Sequence, residues 1–337
     1  MEEKRTFAQL GRVEAIRQLF EGSGFNAFEE PLWYEAKAGD AVTNAAKTFL
    51  EGMDFNLVYF PLKHLGYKCV TAVTGELYAV MAHPQTLTVA LGISAKLDYD
   101  QIEELWSGMV SAAKEHGYRH LSLDLQPSRN GLAISVSAAG SCSKLSCVRR
   151  PKAQSKDLIC VSGSLGAAYL GMQVLERERI RFDQGASEQG MLDRYKMLVR
   201  AYLKPEISPL TLSQLEDGEI YPSHGYLVTR GLSDAIMRLS RDSGLGAKVY
   251  ADKMPFEGNS FALGRELDID PVSAAMNGGD DCRLLFTIPI LKLEKFRTEF
   301  QTFDIIGHLA QPEAGTVLVT PDGLEHPLTS QGWQTNQ

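Results

Sequence analysis

The sequence predicts a mixed α/β protein of two domains, and three observations predict it. Leu87, Val89, Leu91 and Ile93 alternate with Thr86, Thr88, Ala90 and Gly92, the period of a strand with one buried face. Asp98 then stands where a helix cap belongs, ahead of Ile102, Leu105, Trp106, Met109 and Ala113, and Gly117 ends that pattern. Residues 157–176 repeat the order: Leu158-Ile159-Cys160-Val161 reads as a buried strand, Ser162-Gly163-Ser164-Leu165-Gly166 breaks it, and Leu165, Tyr169, Met172 and Leu175 share one helical face.

Taken in order, Val13, Ile16, Leu19 and Phe20 form a short amphipathic helix closed by Gly22 and Gly24. The next segment, to Glu51, has weak periodicity. Residues 67–73 read as a strand. Two more alternating runs follow, Leu121, Leu123 and Leu125, then Leu132, Ile134 and Val136. Residues 1–140 therefore make an N-terminal α/β domain. Residues 141–156 are small, polar and basic, and read as a linker. The second domain, 157–337, continues with helices over 192–203 and 232–243 and a strand over 284–289. A helix carrying Leu291, Phe296 and Phe300 comes next, before a pair of late strands over 304–309 and 316–320. Pro321-Asp322-Gly323 turns the chain into its last segment.

Composition narrows the function. Of 337 residues, 44% are hydrophobic and 23% charged, the balance of a soluble globular protein. A net charge of −8 argues against nucleic acid and anionic membrane as partners. No apolar run is long enough to span a bilayer, and the start, MEEKRTF, lacks the order of a signal peptide. Five cysteines, an odd number without zinc spacing, fit reduced thiols and a cytoplasmic setting.

Two kinds of feature point to chemistry. The turn at Gly163, Ser164 and Gly166 precedes a helix N-terminus, where unpaired N–H groups and the helix dipole favour an anion, phosphate included. Acidic residues recur in loop-like settings at Asp40, Glu76, Asp124, Asp280 and Asp281, and carboxylates gathered from separate loops can hold Mg²⁺ against phosphates.

Several runs carry a family resemblance. Pro61-Leu62-Lys63-His64-Leu65-Gly66-Tyr67-Lys68, followed by Leu77-Tyr78-Ala79 and Pro84, resembles the first-domain signature of thiamine-monophosphate kinases, within the aminoimidazole ribonucleotide synthetase superfamily. The 157–166 strand and turn, Lys204-Pro205-Glu206, and Asn277-Gly278-Gly279-Asp280-Asp281 with Leu284-Leu285-Phe286-Thr287 resemble its later signatures. Ile306-Gly307 and Gly332-Trp333 match the tail. The resemblance implies N-terminal sheets joined across a dimer, a C-terminal α/β domain, ATP and Mg²⁺ as cofactors, and transfer of the γ-phosphoryl group to thiamine monophosphate. It also adds Trp333 to the ligand candidates Gly163, Ser164, Gly166, Asp280 and Asp281.

The chain departs from the family at the metal motifs. Gly-Asp-Asp becomes Gly39-Asp40-Ala41, and Lys47 falls where a metal-binding aspartate is expected. Glu-Gly-Val-His-Phe becomes Glu51-Gly52-Met53-Asp54-Phe55, and Ser-Asp becomes Gly75-Glu76. Gly-Gly-Asp-Thr becomes Ser122-Leu123-Asp124-Leu125, and Asp-Ile-Ser-Asp-Gly-Leu becomes Leu227-Val228-Thr229-Arg230-Gly231-Leu232. Asp40, Glu76 and Asp124 are the metal ligands if metal is retained, while Lys47 and Arg230 place cations where the family has acids. A cation 4 Å from a carboxylate at an effective dielectric of 20 contributes about 4 kcal/mol before desolvation. Two readings remain open. One is a catalytically impaired or retasked protein that needs no cofactor, binding a nucleotide or phosphorylated ligand, as a homodimer or as a heterodimer with a related kinase. The other is a working kinase using ATP and Mg²⁺. The expected interface is apolar, made by the strands at 87–93 and 132–136.

Overall fold

The structure is a computed structural model and describes residues 5–27, 32–185 and 190–329. It divides into two compact units, one of residues 1–77 and 81–147, the other of 78–80 and 148–337.

The first unit holds α1 (Phe7–Leu10), α2 (Arg12–Phe20), β1 (Ala41–Leu50), α3 (Leu62–Ala79), β2 (His83–Ser94), α4 (Tyr99–Glu115), β3 (His120–Ser128) and β4 (Ala133–Cys142). Its sheet runs β1-β4-β2-β3, with β2 and β3 parallel and the other pairs antiparallel. α4 is the crossover between the parallel pair. Asp98 caps it as a full capping box, its carboxyl accepting from Gln101 N while the Gln101 side chain accepts from Asp98 N.

Residues 67–73, expected as a strand, lie inside α3. Their β-branched composition misleads because the helix is buried on all sides, so no polar face marks its period: Tyr67, Lys68, Cys69, Val70, Thr71, Ala72 and Val73 are all buried. Thr71 and Thr74 satisfy their hydroxyls by donating to the carbonyls of Tyr67 and Val70, four residues back. α3 and α4 meet backbone to backbone. A Cβ at Gly66 would overlap the Leu105 carbonyl, and one at Gly108 the Lys63 carbonyl.

The weakly periodic segment before Glu51 contains a full ten-residue strand. β1 pairs with β4 along its whole length at the sheet edge, with Val42, Asn44, Ala46, Thr48 and Leu50 exposed on one face; the covered face carries Thr43, Ala45 and Lys47 beside Phe49, so the burial alternates but the apolar character does not. The apolar faces of β2 and β4 are not left for a partner either. Leu87, Val89, Leu91, Ile134 and Val136 are already buried within the chain, and the face that remains open carries Thr48, Thr88, Asp124 and Ser135. The expectation of an apolar interface made by these strands is therefore corrected.

Residues 141–156, read as a linker, carry the end of β4 and a helix, α5 (Lys144–Arg149). Its Ser143 hydroxyl accepts from Ser146 N, a local cap that the small polar composition supplies.

The second unit holds β5 (Leu158–Ser162), α6 (Ala167–Asp183), α7 (Gly190–Arg194), α8 (Lys196–Leu203), α9 (Thr211–Asp217), β6 (Gly225–Val228), α10 (Leu232–Ser243), β7 (Gly246–Tyr250), α11 (Ser260–Leu267), α12 (Pro271–Asn277), β8 (Arg283–Ile288), α13 (Leu293–Glu299), β9 (Phe303–Ala310), β10 (Thr316–Val319) and β11 (Glu325–Pro327). The sheet order is β11-β10-β7-β9-β5-β8-β6. The late strands β9 and β10 do not pair with each other as expected. β7 lies between them, antiparallel to β9 and parallel to β10; only five residues long and opening on a glycine, it gives little sequence signal. β10 and β11 form the hairpin expected at Pro321-Asp322-Gly323.

α6 buries Ala167, Leu170, Gly171 and Val174, whereas Tyr169 and Met172 are only partly covered. The packed face is set by small residues: a Cβ at Gly171 would overlap the Leu198 carbonyl of α8. Among the described residues no helix is long and apolar enough to cross a membrane.

Candidate functional site

The β5–α6 corner, the expected anion site, is filled by the protein itself. Asp281 is wholly buried and accepts from Gly166 N at 2.8 Å and Ala168 N at 3.1 Å, so its two oxygens occupy the helix N-terminus. Arg283 closes the same turn from below, its Nε donating to the Ser164 carbonyl at 3.2 Å and its guanidinium lying against Gly163. The Ser162 hydroxyl accepts from Leu284 N. β8 and its preceding loop thus supply both the anion and the cation that the turn needs. Burial pushes the Asp281 carboxyl up to about 6, although the two backbone N–H bonds pull the other way. Asp281 acts as a structural cap that takes the Gly166 and Ala168 N–H groups.

The three retained metal-position acids each have a partner within their own unit. Glu76, on α3, lies 3.0 Å from Lys47 Nζ, both side chains being about a quarter exposed. Asp124, on β3, lies 2.8 Å from Arg12 Nη2 of α2. The Asp40 carboxyl accepts from Lys144 N at 3.1 Å, tying the start of β1 to α5. Sheet register shows which of these come together. Lys47 sits opposite Val136, which sits opposite Val89, which sits opposite Leu123, and residues directly opposite share a face. Asp124, one residue on, belongs to the other face. Glu76 with Lys47 and Asp124 with Arg12 are therefore separated by the sheet.

Asp54, the anion gained in the Glu51 motif, is used locally, accepting from Leu50 N at 2.7 Å. Arg230 is exposed in the turn before α10 and makes no ion pair or hydrogen bond among the described residues. Beside that turn runs the Gly279 loop, where Asp280 takes a left-handed backbone and its N–H donates to the Thr229 carbonyl. Trp333 lies outside the described residues.

Sequence reasoning missed Arg12, Lys144 and Arg283. Each partner lies more than 100 residues away in the chain, so no local spacing announces the pair. One feature of the first unit suits a phosphorylated ligand. A cleft of about 860 Å³ opens where β2 and β3 end, walled by Phe7, Leu97 and Leu125 and flanked by the cations Arg12, Lys96 and Arg129. Ends of parallel strands are common ligand positions.

Comparison with known proteins agrees with this architecture. Residues 30–142 match the AIR synthase related protein, N-terminal domain. The chain is 26% identical over 270 residues to the thiamine-monophosphate kinase of Pyrococcus horikoshii, covering 80% of this chain and 78% of that one. Among solved structures it resembles the thiamine-monophosphate kinase of Stenotrophomonas maltophilia K279a with a TM-score of 0.69 and 25% identity, over 84% of this chain and 87% of the other. It also resembles AaThiL complexed with AMPPCP and TMP, with a TM-score of 0.69 and 20% identity, over 97% of this chain and all of the other.

Proposed function

Because the chain is a divergent relative of the thiamine-monophosphate kinases in the AIR synthase superfamily, we propose that it keeps their capacity for a nucleotide or phosphorylated ligand while its own cations replace the metal, leaving phosphoryl transfer impaired. One observation carries this reading: Lys47 lies on Glu76 at 3.0 Å. At that distance and an effective dielectric of 20, the attraction is about 5.5 kcal/mol before desolvation and screening reduce it. A magnesium ion approaching Glu76 has to displace a cation already in place. Phosphoryl transfer depends chiefly on positioning and on metal-borne charge neutralisation, so a site that neutralises its own acids loses the second of these. The phosphate end of the ligand suits the cleft flanked by Arg12, Lys96 and Arg129.

The active form is a homodimer, or a heterodimer with a related kinase, joined at the exposed edge of β1 and the open polar face of the sheet. The setting is cytoplasmic. The test is turnover of ATP with thiamine monophosphate and Mg²⁺, alongside calorimetry of AMPPCP with and without the metal. The expected result is no turnover above background and a nucleotide affinity that changes by less than about threefold with Mg²⁺. Turnover that rises with sub-millimolar Mg²⁺ supports the second reading, a working kinase. One observation favours that alternative: the Asp124–Arg12 pair is about half exposed and held only weakly, so Asp124 remains reachable by a cation.

A further inference from the structure

All five cysteines are free thiols, and two of them meet in one turn. Ser143 is the N-cap of α5. Its hydroxyl accepts from Ser146 N at 3.0 Å, and its carbonyl accepts the first helical bond, from Cys147 N. Cys142 therefore stands just before the cap, and Cys147 at the fourth helical position. Side chains at those two positions pack against each other across a helix start, usually as an apolar staple. The contacts agree. Cys147 Sγ donates to the Cys142 carbonyl at 3.9 Å and Cys142 Sγ to the Ser143 carbonyl at 3.8 Å, so both sulfurs lie against the same short stretch of backbone.

Exposure assigns the two sulfurs different roles. Cys147 is exposed, whereas Cys142 is 6% exposed. Cys69, Cys160 and Cys282 are all buried, and burial pushes the Cys160 thiol up, away from the thiolate that exchange chemistry needs. We propose that Cys142 and Cys147 form a redox modification site that closes reversibly to a disulfide, with a small-molecule disulfide of the glutathione class as oxidant. Cys147, as thiolate, attacks one sulfur of the oxidant; its S–S bond breaks, and one small thiol leaves carrying a proton. Cys142 then loses its proton and attacks Cys147 Sγ, forming the internal bond and releasing the second small thiol. Two protein thiols are oxidised and one small disulfide is reduced to two thiols, so protons and electrons balance. Excess small thiol reverses both steps. A disulfide needs its Cα atoms within about 7 Å. Adjustment to that geometry falls on α5, which is six residues long and buries only Ser146. Lys144 N, in the same turn, donates to Asp40, so the site borders one of the metal-position acids.

Mass spectrometry on the folded full chain tests this. The chain is reduced, freed of reductant, held with about 1 mM glutathione disulfide, and blocked with N-ethylmaleimide. Trypsin cuts after Lys144, between the two cysteines, so only a sulfur bond can hold peptides 130–144 and 145–149 together. The joined peptides should be recovered from more than about half of the chains, which should run as monomers on a non-reducing gel. About 10 mM reduced glutathione should return the separate, blocked peptides. Cys142→Ser should stop with glutathione attached to Cys147. Cys147→Ser should leave Cys142 at least about tenfold less modified in the same time. The wild-type result decides by itself should either variant fail to fold. Recovery of Cys147 only as the mixed disulfide, or of both thiols unmodified, overturns the proposal. So does pairing that appears only in urea, a bond between chains, or a bond from either cysteine to Cys69, Cys160 or Cys282.

Discussion

Asp281 is a carboxylate serving where a ligand phosphate was expected, and its burial gives it a measurable titration. Its folded value, about 6, stands above the 3.8 of an unburied aspartate. Between those values the folded chain holds a proton that the unfolded chain has released, so stability falls as pH rises from about 4 to about 6 and is level above that. The shift corresponds to about 3 kcal/mol. Asp281→Asn keeps the shape and removes the titration. Urea midpoints measured from pH 4 to 7 should show the wild type losing up to about that amount relative to the variant as pH rises; parallel curves would refute the titration. At Lys47 the expectation concerns metal. Lys47→Asp sets two acids side by side and should cost about 1–2 kcal/mol in metal-free buffer, with millimolar Mg²⁺ returning much of the loss. Equal loss with and without Mg²⁺, read from thermal melts, would show that no metal site can be rebuilt there.

Elements were legible where burial leaves a periodic trace. α4, α10, β2, β3 and β5 follow from capping residues and alternation, and α10 begins and ends where the apolar pattern does. α3 and β1 were misread for different reasons: the 67–73 stretch of α3 is buried on every side, and the covered face of β1 carries small and polar residues, so neither shows an apolar period. Site pairs such as Asp124 with Arg12 were invisible because the fold, rather than local spacing, brings them together. Lys47 was legible only through the family resemblance. Helix crossings offer a test of the packing. Gly171→Ala puts a methyl group into the Leu198 carbonyl and should cost about 2 kcal/mol or more. Gly258→Ala, where nothing lies within 4 Å, should change stability by less than about 0.5 kcal/mol. Chemical denaturation of the two variants distinguishes a required close approach from a general intolerance of substitution.

At the scale of the whole molecule, the open β1 edge is the feature that calls for a partner. It presents ten residues of strand, with Val42 59% exposed and Leu50 45% exposed at its ends, and long bare edges are seldom left unprotected. Light scattering at micromolar concentration should report a dimer, and Val42→Lys should shift it toward monomer; a wild-type monomer under those conditions would count against an edge-joined assembly. Each unit has its own buried helix crossing and sheet, so denaturation need not be one transition. The sealed β5–α6 corner then acquires a use as a clock. The N–H groups of Gly166 and Ala168 point into a carboxylate that water does not reach. Their deuterium uptake should wait for the second unit to open as a whole, so those two amides would time its unfolding while the first unit keeps its own schedule.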